Sequence, residues 1–272
     1  MKTRLAYFLV VLFVSQAVAA QSKQSPKVIA FFTAKHDKAH ISFVKEANDW
    51  FPSIAKEHGF QYDTTSNWKN LNDDFLKNYK AIIFLDTRPE DKLQREAFQR
   101  YIERGGGWMG FHFAAFALTP STYNQDWDWY HNTFLGSGQY ARNTWRPTSA
   151  TLRVENRKHP ATKKLSSTIT ASPNEWYAWE KDLRENRDIT ILLSVDPKSF
   201  PLGTGPKAHE IWHEGYFPVV WTNKRFKMIY INMGHNDMDY GGTNQALSSS
   251  FGSAEQNTLI IESVLWLISK KF

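Results

Sequence analysis

The chain has 272 residues, 42% of them hydrophobic and 22% charged, a balance that suits a folded globular protein and excludes a disordered or collagen-like one. Its net charge of +6 is scattered over short clusters such as Arg225-Phe226-Lys227, with no stripe of interleaved basic and aromatic residues, which argues against a nucleic-acid partner. Cysteine is absent, so disulfide stapling and thiol catalysis are both excluded.

The first twenty residues have the pattern of a signal peptide. Lys2 and Arg4 precede an apolar run over 5–14, and small residues follow at Ala17, Ala19 and Ala20. The expected division is a signal peptide over 1–20, cleaved after Ala19 or Ala20, and one α/β domain over 21–272. The apolar run is too short to span a bilayer, so no stable membrane span is expected. The expected location is periplasmic or secreted, with the oligomeric state left open.

In chain order, KVIAFF (27–32) reads as a buried strand and TAKHDKAH (33–40) as a loop. Residues 41–58 have a helical pattern interrupted by Pro52, with Gly59 as the stop. A strand over 60–65, a short helix capped near Asn72, and the apolar strand KAIIFLD (80–86) follow. A helix opens near Asp91 and runs to Arg104, and GGGWMGFHFAAF (105–116) predicts a fourth strand turning sharply into a helix. Residues 117–148 read as aromatic-rich loops. Strands are expected at 151–156, 175–179, 188–195, 217–223 and 226–234, the last two as a hairpin, with a closing helix over 254–271. Strand–helix alternation predicts a parallel sheet flanked by helices, with ligands at the carboxyl ends of the strands.

The ordered pieces KVIAFFTAKHDKAH, GGGWMGFHFAAF, NEWY, FPVVWT and YINMGHND resemble the ThuA-like family, named for trehalose utilisation. The resemblance implies a flavodoxin-like or class I glutamine-amidotransferase-like parallel-sheet sandwich with additional strands. His112 stands where the amidotransferases carry their cysteine, so glutamine hydrolysis does not carry over. What the resemblance does imply is processing of a glycoside or an oxidised sugar, by hydrolysis or elimination, in a protein that its signal-like N-terminus marks as exported. The alternative is a non-catalytic periplasmic sugar-binding protein.

His112, His235 and Glu175 are the catalytic candidates, the histidines as ligands or proton acceptors and Glu175 as a base or an orienting group. A helix beginning at His112 would lower its pKa. Imidazoles are good ligands for a divalent metal, Zn²⁺ first, and the candidate set is His36, His40, His112, His213 and His235. His209-Glu210-Ile211-Trp212-His213 fits the literal HExxH pattern, but the glycines and prolines around it leave too short a helix for a zinc protease. A small carbohydrate is expected to meet Asp86, Arg88 and Asp237 through its hydroxyls and to stack on Trp127 and Trp176, with neighbouring Asp126 and Asp128 also able to hold hydroxyls.

Overall fold

The computed structural model describes residues 25–35, 37–118, 126–144, 146–199, 215–239, 242–244 and 246–270. Apolar residues along β1 (Lys27–Phe31) alternate between two cores. Val28 and Ala30 face one side, and Ile29 and Phe31 the other. Burial on both faces is why these strands are almost wholly apolar. The same division continues through β3 (Ala81–Phe84), β4 (Gly107–Phe111) and β11 (Phe226–Ile231).

These strands, with β2 (Gln61–Thr65), β6 (Thr148–Val154), β7 (Thr168–Asn174), β9 (Ile189–Val195) and β10 (Phe217–Asn223), form one nine-stranded sheet in the order β2-β1-β3-β4-β11-β10-β9-β6-β7. The first five are mutually parallel. From β10 outward every pairing is antiparallel. Two further strands, β5 (Tyr140–Asn143) and β8 (Tyr177–Trp179), form a small antiparallel ribbon. Helices α1 (Lys38–His58) and α4 (Ala254–Ile268) bury Phe43, Val44, Leu259 and Val264 in one core. The short α2 (Asp73–Leu76), α3 (Lys92–Glu103) and the turn Trp129–Phe134 contribute Leu76, Phe98, Tyr130 and Phe134 to the other. The architecture is the expected flavodoxin-like, amidotransferase-like sandwich with an antiparallel extension.

Several local expectations change. Helix α1 begins at Lys38, so His40 lies on a helix rather than in a loop. It also runs unbroken through Pro52, whose side is exposed while Phe51, Ile54 and Ala55 pack inward on either side. That packing outweighs a proline cost of about 3 kcal/mol. Strand β7 lies where the sequence predicts none, and α4 holds it, with Glu255 and Gln256 accepting from the Thr170 and Ser172 amides. Past β4 the chain makes only one helical turn, His112–Ala115. Gly110 is explained by packing, because a Cβ there would fall 2.1 Å from the Trp108 ring.

The described strand ends place the site. Parallel β1, β3, β4 and β11 deliver Asp37 and His40, Asp86, His112, and His235 to one edge of the sheet. Among the described residues, no helix is long and apolar enough to cross a membrane.

Half-buried His159 offers a test of the packing beneath α4. Its ring lies 4.7 Å from that of Trp266, and Nδ1 accepts from the Ala161 amide at 3.2 Å. Burial lowers its pKa to about 4. The unfolded chain therefore takes up this proton first, so the stabilising contribution is full above pH 6.5 and fades as pH falls toward 4. The expected outcome is that His159→Gln loses less melting temperature than the wild type between pH 7.5 and 4.5, measured by calorimetry.

Candidate metal centre

His40, His112 and His235 come together although 195 positions separate the first from the last. Their ring centroids lie 5.0–5.5 Å apart. One ligand atom from each falls within 4.8 Å of the others. Their Nε2 atoms are all buried without a hydrogen-bond partner. Buried polar atoms rarely stay unpaired, and here three orphans belong to one cluster.

Two of the three rings are fixed from behind. His112 Nδ1 lies 2.9 Å from the Asn232 carbonyl, which only accepts, so Nδ1 carries the proton and Nε2 holds a lone pair. His235 Nδ1 lies 3.1 Å from Glu175 Oε2 and donates to that carboxylate. Such outer-shell contacts fix the tautomer and orientation of metal-binding imidazoles. Glu175 Oε1 accepts from the Asn143 side-chain amide at 2.6 Å. Its Oε2 also lies 3.3 Å from His112 Nε2, an electrostatic contact that is not aligned as a hydrogen bond. A lone pair facing a carboxylate at that distance repels it unless positive charge is nearby.

The electrostatics favour ligation. Burial, followed by the charge of His235 and His112, drives the pKa of His40 down to about 3. The His112 pKa is also lowered, chiefly by burial, and the helix expected after it is a single turn, His112–Ala115. Neutral imidazole is the form that binds a cation. Burial alone would raise the Glu175 pKa, but the hydrogen bond from His235 and the positive charge that the His112 and His235 rings carry when protonated bring it down to about 2. The site therefore sets the neutral rings of His40 and His112 beside one buried anion. A divalent cation fits this donor set.

The backbone at His112 is strained. Its φ is 39°, in the left-handed region that non-glycine residues seldom enter. The next turn is captured by buried side chains. Tyr230 donates to the His112 carbonyl at 2.9 Å, Arg88 to that of Phe113 at 3.0 Å, and Tyr130 to that of Ala114 at 2.8 Å. Gly234, at φ 138°, leaves room opposite, since a Cβ there would come within 3.2 Å of His112 Cβ. Tyr177 covers the His112 ring at 4.2 Å between centroids.

The remaining predicted residues divide differently. His36 and His213, with the whole His209–His213 motif, lie outside the described residues. Asp86 accepts from the Thr33 amide at 2.8 Å and the Ala34 amide at 2.5 Å, which secures the loop leading to His40. Arg88 is buried and ion-pairs with Asp126, whose carboxylate also lies near His131. Asp128 accepts from Asn132, and Asp237 accepts from the Asp239 amide and the Asn244 side chain. These carboxylates and Arg88 shape the site through protein contacts. Trp176 corrects the stacking expectation, for it is fully buried in the core with its indole N–H given to the Thr148 carbonyl. Trp127 packs on Tyr130 and Phe98 beneath Arg95.

Sequence reasoning missed Asp37, Asn143 and Asn232 as supporting groups. Asp37 was legible as a cap in HDKAH, because its Oδ1 accepts from the Ala39 and His40 amides at 2.7 and 3.2 Å. It lies 3.9 Å from His235 Nε2. Nothing local marked the two asparagines.

The comparisons agree with this fold. A family model described as trehalose utilisation, ThuA, matches residues 27–247. A ThuA-like protein from Bacteroides uniformis is 36% identical, with 93% of this chain and 96% of that one covered at a TM-score of 0.78. A ThuA-like protein from Parabacteroides merdae shares the fold at 15% identity and a TM-score of 0.60, with 91% of each chain covered. No curated protein matches the chain significantly. With a family model spanning most of its length and a relative this similar throughout, the chain belongs to the ThuA family.

Proposed function

We propose that this chain is an exported, metal-dependent carbohydrate-processing enzyme that acts on a glycoside or an oxidised sugar by hydrolysis or elimination. The observation that carries the reading is the convergence of three buried, unpaired imidazole nitrogens at the strand ends. Family membership supports the carbohydrate context. The signal-like sequence over 1–20 supports export.

His40, His112 and His235 would hold the metal, with zinc the first choice for a three-imidazole set. A divalent metal would supply Lewis acidity to a carbonyl or hydroxyl oxygen of the sugar. Glu175 is buried, bound to His235 from behind and facing Nε2 of His112, so it orients and neutralises rather than meeting substrate. Asp37 lines the adjoining cavity, where its carboxylate can accept a hydrogen bond from a sugar hydroxyl. Tyr177 and the surrounding aromatic residues keep water from the His112 ring.

Zinc should bind the full-length mature protein at one ion per chain, measured by calorimetry and elemental analysis. Replacing His40, His112 or His235 with alanine should weaken binding by more than about a hundredfold, beyond what loss of an outer-shell partner costs. Chelation should abolish turnover on a neutral glycoside or its keto derivative, and added zinc should restore it. Metal-free protein that retains turnover would overturn the reading. Sugar binding without turnover in the zinc-loaded protein would favour the sugar-binding alternative.

Glu175→Gln and Asn143→Ala should each lower metal affinity by roughly 10–100-fold while leaving the far-ultraviolet circular dichroism intact. Unchanged affinity would remove Glu175 from the metal's support. Export predicts that the mature N-terminus, read by mass spectrometry, is Ala20 or Gln21. Retention of Met1 on the cell-associated protein would contradict it.

A further inference from the structure

A cavity of about 680 Å³ opens beside His40 at the carboxyl end of β1 and β3. It is large enough for a sugar. Its wall includes Trp68, a residue outside all of the motifs above. The Trp68 indole N–H is given to Thr33 Oγ1 at 3.0 Å, and its ring rests against Phe31 and Phe84, each 5.3 Å away between centroids. The ring is therefore held in place with its polar edge satisfied, and it remains partly exposed at the cavity.

Four polar side-chain groups on the same wall have no hydrogen bond among the described residues: the Lys35 ammonium, Asp37 Oδ2, the Thr87 hydroxyl and the Gln94 amide. An aromatic plane ringed by uncommitted donors and acceptors suits a pyranose, which is apolar on its ring face and polar around its rim. The charge is also selective. Asp37, Asp86 and Asp91 line the cavity against Lys35 and Arg88, and the Arg88 guanidinium is already ion-paired with Asp126.

We infer that this cavity is the sugar subsite of the centre, with Trp68 as its stacking platform, and that it takes an uncharged sugar in preference to a sugar acid. The inference rests on the metal-site reading for its orientation toward His40. Stacking on Trp68 positions the ring, the four free groups take its hydroxyls, and the excess of carboxylates repels an anionic substituent.

The test titrates the zinc-loaded full-length protein with methyl glucopyranoside and with methyl glucuronide by saturation-transfer NMR and calorimetry, with zinc content measured in each sample. The glucoside is expected to bind more tightly than the glucuronide. Trp68→Ala should weaken glucoside binding by about tenfold or more, and Trp68→Phe, which keeps a ring face, should retain most of it. Both variants should still bind one zinc per chain, which separates this inference from the metal reading. Full glucoside affinity in folded Trp68→Ala, equal or tighter glucuronide binding, or no glucoside binding by zinc-loaded wild type would each overturn the subsite. Loss of zinc in the wild type would instead count against the metal centre.

Discussion

Two segments laced together residue by residue hold the site. Asn174 accepts the Gly234 amide, Glu175 donates its amide to the His235 carbonyl, and the Tyr177 amide reaches the Asn232 side chain. The Glu175 carboxylate completes the seam by receiving His235 and Asn143. A buried carboxylate is costly unless its oxygens are satisfied, so this anion specifies its surroundings. Any slip between the segments would leave it unpaired. His235 is thus positioned from its main chain and its ring together.

Asn236 extends the same logic to the neighbouring chain. Its side-chain oxygen accepts from Ser248, Ser249 and Ser250, and its amide donates to the Pro173 carbonyl at 2.6 Å. The carboxylate of Glu46, on the helix that carries His40, accepts from Ser248, Ser250 and Phe251. The 248–251 segment therefore ties the His235 loop to α1. Rigid support of this kind keeps unpaired nitrogens close together without a local sequence motif. The left-handed backbone at His112 belongs to the same economy, a strain of about 1–3 kcal/mol held by captured carbonyls.

The parallel half of the sheet was legible because KVIAFF, KAIIFLD and GGGWMGF are continuous apolar runs separated by amphipathic helices. His112 and His235 were legible because each follows such a strand with a glycine one or two positions before it. His40 was only partly so, since its value depended on α1 starting at Lys38, which the capping carboxylate of Asp37 decides. Strand β7 was missed because only Ile169 and Ala171 carry its alternation, and the Ser172-Pro173-Asn174 that follows reads as a turn. Its place comes from α4, more than eighty positions away.

The sequence by itself determined the alternation that builds a two-faced parallel sheet, the absence of a thiol nucleophile, and the delivery of histidines to the strand ends. These follow from side-chain chemistry and local periodicity. Only the tertiary structure decided which histidines meet, which carboxylates serve the protein itself, and which tryptophan presents a face. Trp176 sits in the NEWY motif and Trp68 in none, yet the first is sealed in the core and the second lines the cavity beside His40. Burial is fixed by neighbours distant in sequence, so no local pattern could have told them apart.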